Sequence, residues 1–228
     1  MTSKTAHRAK LAFVIAAAGS SRRFGSDKVS EMLAGRTVLE CSIASLRKAI
    51  PDTPVVVVVA PERVTHWRAI LNSCEVIAGG PRRQDSVRLG IERAAESGAE
   101  IVAVHDGARP LVHPTDVVKV IEALGDGAAA ILCEGVFDTV KRVDVDGMII
   151  ETIDRDHLRL AQTPQVFRVA ALQAAWRNQD SSRAFSDEAS MIEAGDGGVR
   201  CVVADFPNPK LTISGDLELA RLMAEKER

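Results

Sequence analysis

Aromatic residues are scarce: they make up 4% of the 228 residues, and tyrosine is missing altogether. A chain so poor in rings offers no stacking platform for single-stranded nucleic acid. Neither sign of charge is in excess. Against 29 Lys and Arg stand 31 Asp and Glu, a formal net charge of −2, so an anion site must be a local cluster rather than a general field. Cysteine is limited to Cys41, Cys74, Cys133 and Cys201, far apart and without CxxC or Cys/His ligand spacing. Their apolar neighbours (LECSI, AILCEG, VRCVV) point to buried thiols in a reducing cytosol rather than disulfides or a metal site. No apolar run approaches the roughly 20 residues of a membrane span. Internal repeats and low-complexity tracts are lacking too.

What is present is ordinary globular composition, 46% apolar and 26% charged, in a length suited to one large domain. The stretch LAFVIAAAGSSRRFGSDK, Leu11 to Lys28, poses the first choice. Lys4, Arg8 and Lys10 before a short apolar run ending in Ala-Ala-Ala resemble a signal peptide. The run is short, however, and Arg22 and Arg23 follow at once. The competing reading is a buried first strand feeding a phosphate-binding loop.

The rest of the chain alternates strand and helix signals. Thr37 and Glu40 have capping-box spacing ahead of a helix striped by Leu39, Ile43 and Leu46. Five consecutive valines, Val55 to Val59, suit a strand covered on both faces. Pro61 opens a helix expected to run to about Asn72. CEVIAG is a strand, DSVRLGIERAAESG a helix ended by Gly98, and IVAVHDGARP a strand entering a loop. HPTDVVKVIEALGDG is a helix with Thr115 as its cap, followed by the strand AAAILCEGV. The expectation is an α/β fold: a Rossmann-like open, mostly parallel sheet with helices on both faces. Ligands in such sheets bind beyond the carboxyl ends of the strands, which singles out Gly19–Lys28, Gly79–Ser86 and His105–Pro110. At about Asp138 the rhythm breaks. TVKRVDVDGMIIETI reads as a protruding β-hairpin arm turned at Asp146-Gly147 in type I′ geometry. Two further helices (RVAALQAAWRNQ, DEASMIEAG), the strand VRCVVADF and a last helix after Ser214 close the chain.

The loops carry the chemistry. Gly19–Lys28 fits neither GxGxxG nor GxxxxGK. It still combines a small turn, free backbone N–H groups and the cations Arg22, Arg23 and Lys28, which suits a polyphosphate or leaves a solvated basic loop. In AGGPRRQDSVRLG, Gly79-Gly80 allows close backbone approach and Asp85 or Ser86 could cap a helix. In VHDGARP, Asp106 follows a buried strand, where it can act as a hard oxygen ligand for Mg²⁺. Arg109 offers a planar fork for an anion. Arg155, Thr163, Ser186, Lys210 and Thr212 are late cations and hydroxyls that read singly as surface residues. His105 and Asp106 point to opposite faces of their strand and are no catalytic pair. The other four histidines show no ligand spacing, and all five read as non-functional.

Seven segments in order, AAAGSSRRFGSDK, GGPRRQDSV, VHDGARP, DTVKR, TPQVF, SDEAS and NPKLT, resemble the 2-C-methyl-D-erythritol 4-phosphate cytidylyltransferase family over nearly the whole chain. The resemblance implies transfer of CMP from CTP to a methylerythritol phosphate with release of pyrophosphate and help from Mg²⁺ or another divalent cation. It implies Arg23, Lys28 and Lys210 as catalytic cations. Ala17, Ala18, Gly19, Gly80, Ser86, Asp106 and Gly107 would bind CTP, with Asp106 also serving the metal. Arg109, Thr139, Arg155, Thr163, Ser186 and Thr212 would hold the alcohol phosphate. It further implies one nucleotidyltransferase domain over residues 1–228, with a dimerisation arm at about 138–160 that completes the partner's site in a cytoplasmic homodimer. The export reading then falls away, because cleavage would remove the first strand. Nucleic acid and membrane are not expected partners.

Five positions depart from the family pattern. Asp27-Lys28-Val29 stands where Pro-Lys-Gln is usual, placing a negative charge beside Lys28 that Arg36 or a metal would offset. Pro81 replaces a residue that is often acidic, HDGARP replaces HDAARP, and Ser186 replaces Thr. These keep two alternatives open, a pentitol (ribitol) phosphate cytidylyltransferase and a non-catalytic nucleotide-binding relative. An NAD-dependent oxidoreductase lacks its glycine fingerprint.

Overall fold

The computed structural model describes residues 11–19, 24–25, 27–178, 185–195 and 197–226. Its centre is a seven-stranded sheet in the order β11-β7-β10-β6-β1-β4-β5. The strands are β1 (Leu11–Ala17), β4 (Val55–Val59), β5 (Glu75–Ala78), β6 (Ile101–Asp106), β7 (Ala129–Gly135), β10 (Arg159–Arg168) and β11 (Val199–Val203). Two short strands, β2 (Met32–Leu33) and β3 (Arg36–Thr37), form a separate hairpin, and β8 (Val140–Val143) pairs with β9 (Ile149–Ile153). Parallel pairing links β5, β4, β1 and β6 in turn, and also β7 with β11.

Side chains alternate across a strand, and the two cores follow that alternation. Phe13, Ile15, Val55, Val57, Val59, Ile101 and Ala103 face one layer of helices. That layer is α1 (Val38–Ala49), α2 (Val64–Ile70) and α4 (Pro114–Ala123), which contribute Leu39, Leu46, Trp67, Val117 and Val120. Ala12, Val14, Val56, Val58, Val102 and Val104 face the other layer. It holds α3 (Arg83–Glu96), α5 (Val169–Asn178) and α6 (Glu188–Glu193), with Val87, Ile91, Leu172, Met191 and Ile192 packed inward. The five valines of β4 are buried on both faces, as their run demands. Thr37 caps α1 in the expected box with Glu40. A third cluster, Leu33, Val38, Ala108, Leu211, Leu217 and Ala220, seats the last helix, α7 (Ser214–Lys226), over the β2–β3 hairpin.

Several local expectations are corrected. Thr163, read singly as a surface residue, is buried: TPQVF is half of β10, which lies antiparallel between β6 and β7 at the middle of the sheet. Pro164 hid it, because proline is excluded from central ladders except at irregularities. Here the ladder with β7 breaks between Ala161 and Gln165, so no bond is demanded of the proline nitrogen. The cap of α4 is His113, whose Nδ1 accepts from Thr115 N–H at 3.3 Å, not Thr115 itself. Arg82, not Asp85 or Ser86, precedes α3, and Asp85 accepts its N–H from the third helical position. The helix after Pro61 begins as a 3₁₀ turn, Pro61–Arg63, and ends at Ile70. All four cysteines are free thiols; Cys133 is buried, yet Cys201 is exposed, against the expectation of uniform burial. The arm's turn is a three-residue loop rather than type I′. Asp144 N–H bonds Met148 O at 3.0 Å, Gly147 alone takes a positive φ of 82°, and the Asp144 carboxylate accepts from Asp146 and Met148 N–H. No helix among the described residues is long and apolar enough to cross a membrane.

Candidate active site

The loops after β1, β5 and β6 open at one edge of the sheet, and antiparallel β10 brings Gln162 and Thr163 to the same edge. Asp106 ends β6 there, buried. Three cations surround its carboxylate: Lys210 Nζ at 2.8 Å, Arg83 Nη2 at 3.6 Å and Arg109 Nε at 3.7 Å. Burial works against the charge, but Lys210 first, then Arg83 and Arg109, outweigh it and hold the carboxyl down at about 2. Asp106 is therefore ionised at any physiological pH.

Each partner is held in place from behind. Leu211 is fully buried and its N–H bonds Ala108 O at 2.9 Å, which fixes the neighbouring Lys210 over Asp106. Asp216 accepts the N–H groups of Thr212 and Ile213 at 2.6 and 2.9 Å, closing the turn into α7. Arg109 Nη1 donates to Asn208 O at 2.5 Å. Asn208 is buried; its Nδ2 donates to Gln162 Oε1 and Thr163 O, and Gln162 in turn donates to Glu134. Asp116, also buried, accepts from Asp205 and Phe206 N–H, so the whole 205–212 loop is pinned to the sheet.

Thr163 is buried at the centre of this corner. Its Oγ1 accepts from Asp106 N–H at 3.0 Å and lies 3.1 Å from His105 Nδ1. His105 Nε2 lies 3.0 Å from Arg109 O. A carbonyl can only accept, so Nε2 carries the ring proton, Nδ1 accepts, and the Thr163 hydroxyl donates to it. Burial pushes the His105 pKa down to about 4, keeping that neutral tautomer. His105 thus points away from Asp106, as read from the sequence, yet it organises the site from beneath.

On the other side, Ser86 shapes the glycine loop. Gly80 N–H donates to its Oγ at 3.1 Å, and the hydroxyl faces Gly80 O and Arg82 O. A Cβ on Gly79 would lie 2.7 Å from both Ala18 Cβ and Ser86 Oγ, so only glycine lets this loop lie against the end of β1. A Cβ on Gly107 would meet Leu39 Cδ1 at 3.1 Å and Ala17 Cβ at 3.2 Å, a tight fit that asks those side chains to give way by a few tenths of an ångström.

The Asp27-Lys28-Val29 departure also resolves. Asp27 pairs with Arg63 at 2.8 Å, not with Arg36, and accepts from Ser30 Oγ. Val29 is buried in the core, and its carbonyl accepts from Leu39 N–H. Lys28 sits in the turn closed by Ser30 N–H on Asp27 O. The negative charge beside it is neutralised, and its other neighbour anchors the turn.

The structure therefore unites Asp106, Gly107, Arg109, Thr163 and Lys210, with Thr212 adjoining Lys210. Ser186 is exposed just ahead of Asp187, which caps α6. Thr139 and Arg155 stand exposed at the base of the arm. Neither bonds the Asp106 cluster among the described residues; Arg155 instead donates to Phe137 O. Arg23 lies outside the described residues. Sequence reasoning missed Arg83 and Glu188, whose ion pair flanks the cluster, and the buried Asn208 and Gln162. A cation in the first turn of a helix opposes the helix dipole. That is the signal that Arg83 needed acidic company.

Among the described residues no group of three His, Cys, Asp or Glu could hold a metal unaided. A lone ionised carboxylate does fit a Mg²⁺ ion whose remaining oxygens come from a polyphosphate and water.

The comparisons with known proteins agree with the geometry. Residues 11–226 match the model of the 2-C-methyl-D-erythritol 4-phosphate cytidylyltransferase (IspD) family. The chain belongs to this family. A cytidylyltransferase of that name from Pelotomaculum thermopropionicum is 36% identical over 221 residues, 92% of each chain. The bifunctional enzyme IspD/IspF of Rhodospirillum rubrum is 40% identical over 228 residues, covering 96% of this chain but only 58% of that longer protein. The Thermus thermophilus family member superposes with a TM-score of 0.77 at 30% identity, over 94% of this chain and 98% of that one. The 4-diphosphocytidyl-2C-methyl-D-erythritol synthase of Anaerococcus prevotii gives 0.82 at 26% identity, with the same two coverages.

Proposed function

We propose that this chain transfers CMP from CTP to 2-C-methyl-D-erythritol 4-phosphate, releasing pyrophosphate, in isoprenoid precursor synthesis. The observation that carries the reading is the Asp106–Lys210 pair, flanked by Arg109 and Thr163, opposite the Gly80–Ser86 loop on one sheet edge. A phosphate oxygen of the alcohol phosphate attacks the α-phosphorus of CTP in line. The new P–O bond forms as the bond to the pyrophosphate leaving group breaks. Such a transfer needs positioning and charge neutralisation, and no covalent nucleophile. Lys28, with Arg23, neutralises the triphosphate, while the backbone of Ala17, Ala18, Gly19 and Gly80 holds the nucleotide. Arg109, Lys210, Thr163, Ser186 and Thr212 receive the alcohol phosphate. Asp106 would hold Mg²⁺, which when bound supplies further charge neutralisation at the phosphates.

Thr139 and Arg155 act in the partner's site of a homodimer built through the arm at residues 138–160. What supports this is the arm's own exposure. An isolated two-stranded hairpin is marginal in water. This one nevertheless leaves Phe137, Val143, Val145, Met148, Ile149 and Ile150 exposed, an apolar surface that calls for a partner.

The test is pyrophosphate release by folded protein with CTP, a divalent metal and a panel of methylerythritol and ribitol phosphates. Release with methylerythritol phosphate is expected. Release only with ribitol phosphate would move the assignment to a pentitol phosphate, and release with neither would refute it.

A further inference from the structure

Arg83 has no part in the roles assigned above, yet it spans the site. It is the first residue of α3, where the dipole disfavours a cation. Its Nη1 donates to both oxygens of Glu188, at 2.9 and 3.0 Å, and its Nη2 stands 3.6 Å from Asp106 Oδ1. Glu188 is 2% exposed, the first residue of α6. Burial drives its carboxyl pKa upward, and Arg83 pulls it back. The next residue strengthens the tie: Gln84 Oε1 accepts from Phe185 N–H at 3.0 Å. Asp187 is held as well, accepting from Ser190 N–H and from Gln165 Nε2 on β10. Helix α3, which begins at the nucleotide-side loop and carries Ser86, is thereby locked to the 185–188 segment that carries Ser186 on the alcohol side.

We infer that Arg83 is a positioning residue that sets the alcohol-phosphate side of the site against the nucleotide side, by gripping Glu188 with one guanidinium nitrogen while the second faces Asp106. The inference rests on the activity proposed above. It requires two nitrogens held apart in one rigid plane and not charge alone, because lysine has a single nitrogen and cannot meet Glu188 and face Asp106 from the two positions the guanidinium holds.

Steady-state kinetics of Arg83→Lys, Glu188→Gln and the double variant, with thermal unfolding alongside, test it. In Arg83→Lys the KM for the alcohol phosphate is expected to rise about tenfold or more, the scale of a lost charge-assisted hydrogen bond. The KM for CTP stays within about threefold, since the nucleotide loop keeps its own bonds to Ser86. Glu188→Gln shifts the same KM in the same direction, and the double variant is no worse than the worse single one, because one contact is lost only once. Equal shifts in both KM values, additive effects, or an unshifted alcohol KM in folded Arg83→Lys would overturn the inference. If Arg83→Lys does not fold, the KM split in Glu188→Gln decides alone. Wild-type protein that makes no cytidylyl product would instead overturn the proposed function itself, and the wild-type arm separates that outcome from the others.

Discussion

Acidification from pH 8 to pH 5 is expected to destabilise this fold through His105. The ring is fully buried, and burial sets its pKa near 4 against an ordinary value of 6.5. Between those values the unfolded chain takes up the proton and the folded chain does not, so stability rises with pH across that window. It is fully present above about pH 6.5 and drains away as the pH falls toward 4. At pH 5 the loss amounts to about 2 kcal/mol. For a chain of this length that lowers Tm by roughly 4–8 °C. Glu188, whose carboxyl pKa burial raises, has the opposite slope, so the wild-type curve alone is a sum of terms. The decisive quantity is the difference between wild type and His105→Gln, in which an amide nitrogen can still reach Arg109 O but nothing titrates. Thermal unfolding of both proteins at half-unit steps from pH 5 to 8 measures it. The variant carries a constant offset from repacking; its acid-side fall should be shallower by about 2 kcal/mol over the range. Parallel curves would refute the reasoning, since His105 would then be protonated in the folded protein or exposed. The same proton would remove the acceptor used by the Thr163 hydroxyl, so activity is expected to fall with stability and not ahead of it.

Three further outcomes are expected. Gly79→Ala drives a methyl group into Ala18 and Ser86, each at 2.7 Å. Overpacking of this kind costs about 1–3 kcal/mol, and here the loss is read as a raised KM for CTP with the alcohol KM little changed. Arg63→Met uncovers the Asp27 charge beside Lys28. The kcat for pyrophosphate release should fall several-fold, and the added change Asp27→Asn should restore most of it. Replacing Ile149 and Ile150 by Asp charges the exposed face of the arm. Sedimentation should then report monomers with impaired alcohol-phosphate turnover, whereas a surviving dimer would remove the arm from the interface.

The parts of the fold that were legible in the sequence are those governed by period and local chemistry. The Thr37–Glu40 box, the valine run of β4 and the alternation of β1 with β4 each follow from nearest neighbours in the chain. β10 was hidden because its pairing is non-local and its Pro164 contradicts the ordinary rule for a central strand. The turn at Asp146-Gly147 was misread because a dipeptide does not reveal that the Asp144 carboxylate takes two backbone N–H groups in a loop one residue longer than type I′. At the site, Asp106 and Arg109 were found because they follow the end of a buried strand, whereas Lys210, singly a surface residue, was marked only by the family resemblance. That Asp27 pairs with Arg63 rather than Arg36 could not be read, since 36 residues separate the pair in sequence and the 3₁₀ turn after β4 brings it together. Arg83 and Glu188 were passed over for a related reason: they are 105 positions apart in sequence.

The central claim is a single in-line displacement at the α-phosphorus, with Lys28 and Lys210 neutralising charge, Asp106 placed to hold a divalent cation, and no covalent intermediate. It is tested most directly by the stereochemical course with CTP carrying sulfur at one non-bridging α-oxygen. One displacement inverts the configuration at phosphorus, and inversion in the diphosphocytidyl product is the expected result. Retention, which requires two displacements through a cytidylylated side chain, would contradict the mechanism, and the absence of any product under conditions where the protein is folded would contradict the function.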